Sequence, residues 1–148
     1  MADIQRTGEA HWQGELLKGA GTVGTGSGVL REVPYSVPSR FEHAKGTNPE
    51  ELLAAAHAGC FSMMLAKVLG DQKKVARDIR TKATLTLAQR GGGWKITQIH
   101  LSTQAAGDGI DAATLQAAAE IAKEQCPVSV LLKPGLEALT LEVNGAGA

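Results

Sequence analysis

Only two cysteines, Cys60 and Cys126, occur in the 148 residues. Neither has a second cysteine or a suitably spaced histidine nearby, which argues against a zinc site and against the short Cys-x-x-Cys loop of thioredoxin-like enzymes. Charge of one sign is lacking too: 15 basic residues stand against 15 acidic ones, with no long run of either. That balance argues against non-specific binding to nucleic acid or to a membrane surface. The first residues, Met1 to Arg6, lack the basic start and apolar stretch of a secretory signal, and no apolar run is read as reaching the roughly 18 residues of a membrane span. A cytoplasmic protein is therefore expected, with a small molecule or another protein as its partner.

In a reducing compartment a permanent structural disulfide is not expected, and one domain of this length buries a core without cross-links. The two thiols are then either inert core residues or a transient redox pair. A dithiol that closes to a disulfide carries two electrons with no cofactor or metal, so none is expected here.

Along the chain no internal repeat or low-complexity domain is read, and residues 1–148 are taken as a single domain. Residues from about 8 to 38 alternate short apolar and polar stretches with many glycines, the pattern of a small antiparallel meander. Within it, Gly24-Thr25-Gly26-Ser27-Gly28 lacks the strand-to-helix context of a phosphate loop and is read as a hairpin turn. Asn48-Pro49-Glu50-Glu51 predicts a helix start: Asn48 caps, Pro49 takes the first helical position, and Glu51 reaches back as a capping box. The helix is expected to span about 48–69, stop at Gly70, and pack on both sides, because its interior is apolar nearly all round. A hairpin over about 78–104 follows, with Ala83, Leu85 and Leu87 on one face of its first strand and no single parity in its second. Asp111 caps a helix to about 124, Pro127 opens a short turn of helix, and a last strand is expected over about 136–143. The fold class is α+β, with helices on a mainly antiparallel sheet.

Few residues offer chemistry. Cys60 lies well inside the long helix, where a thiol gains little from the helix dipole and needs a nearby cation to become a thiolate. Cys126 directly precedes Pro127, at the start of a short helix whose N–H groups favour a thiolate; local rules alone select it as the nucleophile. His57, one turn before Cys60, suits a base, a ligand or a packed core residue. Arg40 precedes the long helix, and Glu50 in that helix's first turn is accounted for by the dipole.

Taken together, Arg40-Phe41-Glu42, Gly46-Thr47-Asn48-Pro49-Glu50-Glu51-Leu52, Ala55-Ala56-His57-Ala58-Gly59-Cys60-Phe61-Ser62 and Cys126-Pro127-Val128-Ser129 resemble the OsmC/organic hydroperoxide resistance family. His11-Trp12-Gln13-Gly14 and Gly109-Ile110-Asp111 extend the likeness over nearly the whole chain. The placement of Arg40 shortly before the Gly-Thr-Asn-Pro run is similar to the osmotically inducible OsmC branch. One departure is Gly59, where the family pattern has alanine.

The resemblance implies an OsmC-like fold, with sheets wrapped around a long buried central helix in an intertwined homodimer, and a cysteine-based peroxidase for organic hydroperoxides. It assigns Cys60 as the peroxidatic cysteine, Cys126 as the resolving cysteine, Arg40 as the activating arginine and Glu50 as the acid that orients it. It further implies recycling by a dithiol, of the lipoyl-protein type. Phe41, Phe61, Met63 and Met64 are expected to give the site an apolar surface. The rival reading is a non-catalytic dimeric binding protein with an apolar cleft and packing cysteines. Helix geometry adds a separate expectation: Glu50 and Cys60 lie roughly 15 Å apart along one unbroken helix, so Glu50 of one chain is expected to serve Cys60 of another.

Overall fold

Alternation and glycine turns dominate the N-terminal stretch, and in the computed structural model, which describes residues 2–147, they build a three-stranded meander. Strands β1 (Gly8–Gln13), β2 (Ala20–Thr25) and β3 (Val33–Tyr35) pair antiparallel in the order β1-β2-β3. The Gly24 to Gly28 run ends β2 with Gly24 and Thr25 and then turns towards β3, with Gly28 at φ 74° and no helix directly after it, so it holds the turn that its composition predicts. Gly21 is the tightest point of this sheet. It pairs with Trp12 on one side and Tyr35 on the other, and their rings meet across it at 5.3 Å and 56°. A Cβ at Gly21 would lie 2.6 Å from the tyrosine ring, which leaves no room for any other residue.

The chain divides into two compact units, one ending at Leu52 and one beginning at Leu53. After β3 the first unit contains helix α1 (Val37–Phe41), in which Ser36 and Ser39 form a capping box. It ends in the first turn of α2 (Pro49–Asp71). Asn48 caps α2 through its side-chain oxygen, which accepts from the Glu51 N–H at 2.8 Å, while its amide donates to the Ser39 carbonyl at 3.2 Å. The reciprocal bond expected from the Glu51 carboxylate does not form among the described residues, so only half of the capping box is made.

In the second unit α2 runs on unbroken and is followed by β4 (Ala76–Arg90), β5 (Gly93–Gly107), α3 (Ala112–Gln125), α4 (Pro127–Leu132), a short 3-10 turn and β6 (Ala138–Gly147). Gly70 does not stop α2. Instead the chain turns at Lys73, which takes the left-handed φ of 59°, while the Lys74 N–H reaches the Leu69 carbonyl and the Lys73 N–H the Gly70 carbonyl. This is a Schellman stop with a lysine where glycine is usual.

The β4–β5 hairpin explains why the second strand shows no constant parity. Thr86 pairs with Gln98 but Leu87 with Ile96, so Thr97 is the extra residue of a bulge that shifts inward-facing positions from even to odd. From Thr97 to Ala105 the odd residues are buried. Strand β6 pairs parallel to β5, whereas β1–β2, β2–β3 and β4–β5 are antiparallel. A parallel partner needs a long crossover, which α3 and α4 supply.

Phe61, Leu65, Val68 and Leu69 of α2 join Ile99 and Leu101 of β5 and Leu115, Ala118, Ala119 and Ala122 of α3 in one buried cluster. Each large side chain in it contributes about 1.5–3 kcal/mol. Burial of α2 is one-sided rather than two-sided: Ala55, Ala56, Gly59, Met63 and Ala66 are exposed, Met63 at 77%. Contrary to the reading of its composition, α2 is long and apolar enough to cross a membrane by length and composition, through an 18-residue stretch of mean hydropathy 1.6. Its alanines hide that length, being only mildly apolar singly. The stripe it sends into the buried cluster is that of a core helix.

Candidate functional site

Two polar pairs stand out, one in each unit. In the first, Arg40 is the fourth residue of α1, and the loop after it folds back so that Ser39 Oγ donates to the Thr47 carbonyl at 2.8 Å. Gly46 makes this return possible. It adopts φ 136°, and a Cβ there would lie 2.8 Å from the Pro34 carbonyl. The result brings the start of α2 to Arg40. The guanidinium grips the Glu50 carboxylate with two nitrogens: Nε lies 3.0 and 3.1 Å from the two oxygens, and Nη2 donates to Oε1. Such a fork holds both groups in plane. Glu50 is mostly covered, while Arg40 stays 37% exposed, so one edge of the guanidinium remains available to an anion or a polar oxygen.

Beside Arg40 lies a cleft of about 230 Å³ lined by Trp12, Leu16, Tyr35, Ser36, Val37 and Pro49. The lining is mainly apolar. Sequence reasoning missed these residues, although aromatic positions opposite Gly21 in adjacent strands were the available signal.

In the second unit, Cys60 on α2 meets Cys126, the residue between α3 and α4. Both are free thiols, and Cys126 Sγ donates to Cys60 Sγ at 3.0 Å. Cys126 is fully buried, and Cys60 is partly exposed. Burial pushes the Cys60 thiol above its ordinary value. Hydrogen bonding with Cys126 and that residue's charge push in the same direction, while a hydrogen bond from the Val128 backbone pulls back. Left to these groups, Cys60 is held as a thiol at neutral pH.

Three residues from each cysteine a second contact joins the same two segments. His57 Nε2 and Ser129 Oγ are 2.8 Å apart, both buried, and His57 Nδ1 has no hydrogen-bond partner among the described residues. Burial lowers the histidine pKa. Ser129 was missed by sequence reasoning, although its spacing from Cys126 repeats that of His57 from Cys60. Phe61, expected to line a substrate surface, is instead fully buried in the core; its neighbour Cys60, about 100° further round the helix, is only partly buried and packs against the same cluster. Met63 and Phe41 are exposed and Met64 packs against the core cluster. No group of three or more metal-ligating side chains occurs among the described residues.

Residues 42–139 match the family model described as OsmC-like protein. That stretch contains Glu50, Cys60 and Cys126 and begins just after Arg40. Over 130 residues the chain is 48% identical to the peroxiredoxin OsmC of Escherichia coli (strain K12), covering 88% of this chain and 91% of that protein. It is 32% identical over 100 residues to the organic hydroperoxide resistance protein OhrA of Bacillus subtilis (strain 168), covering 67% of this chain and 68% of that one. Among solved structures, an organic hydroperoxide resistance protein from Elizabethkingia anophelis superposes with a TM-score of 0.75 at 26% identity, covering 97% of this chain and 100% of that one.

Proposed function

This chain belongs to the OsmC-like protein family, and on that premise we propose that it is a thiol peroxidase that reduces organic hydroperoxides to alcohols. The observation that carries the reading is the 3.0 Å contact between two free thiols remote in sequence. The Cys60 thiolate attacks the distal peroxide oxygen, the O–O bond breaks, and the alkoxide takes a proton and leaves as alcohol. Cys60 is then a sulfenic acid. The Cys126 sulfur attacks the Cys60 sulfur, water leaves, and the disulfide forms. A dithiol reductant, of the lipoyl-protein type, returns both thiols by exchange. Free thiols and a recyclable disulfide fit a cytoplasmic setting.

Cys60 needs help to ionise, because the groups around it in its own unit raise its pKa. In this proposal the help is Arg40, held by Glu50, with the apolar cleft beside it receiving the alkyl part of the substrate. Glu50 and Cys60 are separated by roughly 15 Å on one unbroken helix, so the arginine pair serving a given Cys60 comes from a second copy of the chain. The exposed small-residue stripe of α2 supports that pairing, since alanine and glycine let two helices approach closely and cross.

Limiting cumene hydroperoxide added to the reduced protein should consume both thiols of each chain. Cys60→Ser should abolish turnover, whereas Cys126→Ser should allow one oxidation and block recycling. Were thiol titres and hydroperoxide consumption unchanged by either substitution, the protein would be a binding protein whose cysteines serve packing.

A further inference from the structure

Helix α4 is six residues long, too short to be stable by itself, and two of its residues, Val130 and Leu131, are exposed at 58% and 76%. What holds it against α2 is therefore a small set of contacts. Two of them are polar rungs in antiparallel order: His57 meets Ser129, and Cys60 meets Cys126. Each rung is three residues from the other on both segments, so the hydrogen bond and the thiol contact share one register. Sliding either segment by a residue breaks both.

A buried imidazole with only one of its nitrogens satisfied is a costly way to fill a core, since an apolar side chain fits there without any desolvation penalty. Packing alone does not account for it. We propose that the His57–Ser129 hydrogen bond is a positioning latch that keeps the Cys126 turn in register with Cys60 while the disulfide closes. The need arises from the chemistry. When Cys60 gains an oxygen, the added atom presses into a gap of 3.0 Å, and a turn free to swing outward would carry the second sulfur away. Closure then competes with a second oxidation that converts sulfenic to sulfinic acid. The latch tilts that competition towards Cys60–SOH + HS–Cys126 → Cys60–S–S–Cys126 + H₂O.

The physiological oxidant in this inference rests on the peroxidase reading, but closure itself does not, because diamide takes two electrons and two protons from a dithiol and leaves a disulfide and a hydrazine. The test therefore follows reduced full-length protein with both oxidants, in wild type, Ser129→Ala, Ser129→Thr and the double variant His57→Leu with Ser129→Ala. With diamide, Ser129→Ala and the double variant should close about tenfold more slowly than wild type, and Ser129→Thr, which keeps the hydroxyl, should restore most of the rate. With cumene hydroperoxide, first-turnover consumption should be unchanged across the set while sulfinic acid, read by mass, accumulates in the two variants that lack the hydroxyl. A role in folding alone would slow both steps or neither. Should Ser129→Ala not fold, the double variant decides, because its buried surface carries no unpaired polar group. Closure at the wild-type rate in either folded variant overturns the latch. If the diamide difference appears but wild type consumes no hydroperoxide, the latch stands and the peroxidase reading falls.

Discussion

At the scale of single residues, the informative contrast is between two charge environments. Arg40 and Glu50 neutralise each other in a fork at the protein surface, whereas Cys60 sits where burial opposes ionisation. Arg40→Lys keeps a positive charge beside the mostly covered Glu50 carboxylate, so it should lower the denaturation midpoint only slightly. Lysine cannot reproduce the fork. Under the proposed function the substitution should therefore lower kcat/KM for an organic hydroperoxide by about tenfold to a hundredfold, read by steady-state kinetics alongside the thiolate absorbance of Cys60. His57 makes a second prediction. Its ordinary pKa is 6.5, and burial lowers it in the folded protein, so below 6.5 the unfolded chain binds the proton more readily than the native one. The stability contributed by the neutral imidazole is thus present above that pH and is lost as the pH falls towards the folded value. Urea midpoints measured from pH 7.5 down to 5.0 should decline, with a slope from this group of at most about 1.4 kcal/mol per pH unit. The double replacement by leucine and alanine should flatten that decline.

At the scale of elements, starts were easier to read than stops. Asn48-Pro49 and Asp111 announce their helices because a capping side chain acts within three residues of itself, and in each case the expected oxygen accepts from the N–H three positions on. The end of α2 was misread at Gly70, since the left-handed residue is Lys73; which residue takes that conformation depends on how the chain must turn to enter β4. A side chain in the left-handed region costs roughly 1–2 kcal/mol, offset in glycine by a larger entropy loss on folding. Lys73→Gly should therefore raise stability by about 0.5–1 kcal/mol, seen as a rise of about 1–4 °C in Tm. The bulge at Thr97 was illegible for a similar reason: an inserted residue is defined only against its partner strand, and the broken parity of β5 was its sole trace.

At the scale of the whole molecule, α2 poses the main question, because residues expected to be covered on both sides are covered on one. Ala55, Ala56, Gly59, Met63 and Ala66 form the uncovered stripe. In the proposed dimer a second copy covers it, and Met63→Glu then forces a charge into that interface. The variant should keep its fold as judged by circular dichroism, yet dissociate at least about a hundredfold more readily in sedimentation experiments, with turnover falling as the dimer is lost. A mutant dimer as tight as wild type would remove α2 from the interface. What the sequence alone determined was the inventory of reactive groups, the approximate elements and the α+β class, because capping, periodicity and side-chain chemistry act over a few residues. That Cys60 lies against Cys126, that Ser129 reaches His57 and that β6 runs parallel to β5 was decided by tertiary structure. Those contacts exist only once α3 and the sheet have docked on α2, and the free energy of that docking comes from surfaces buried jointly by segments far apart in the chain.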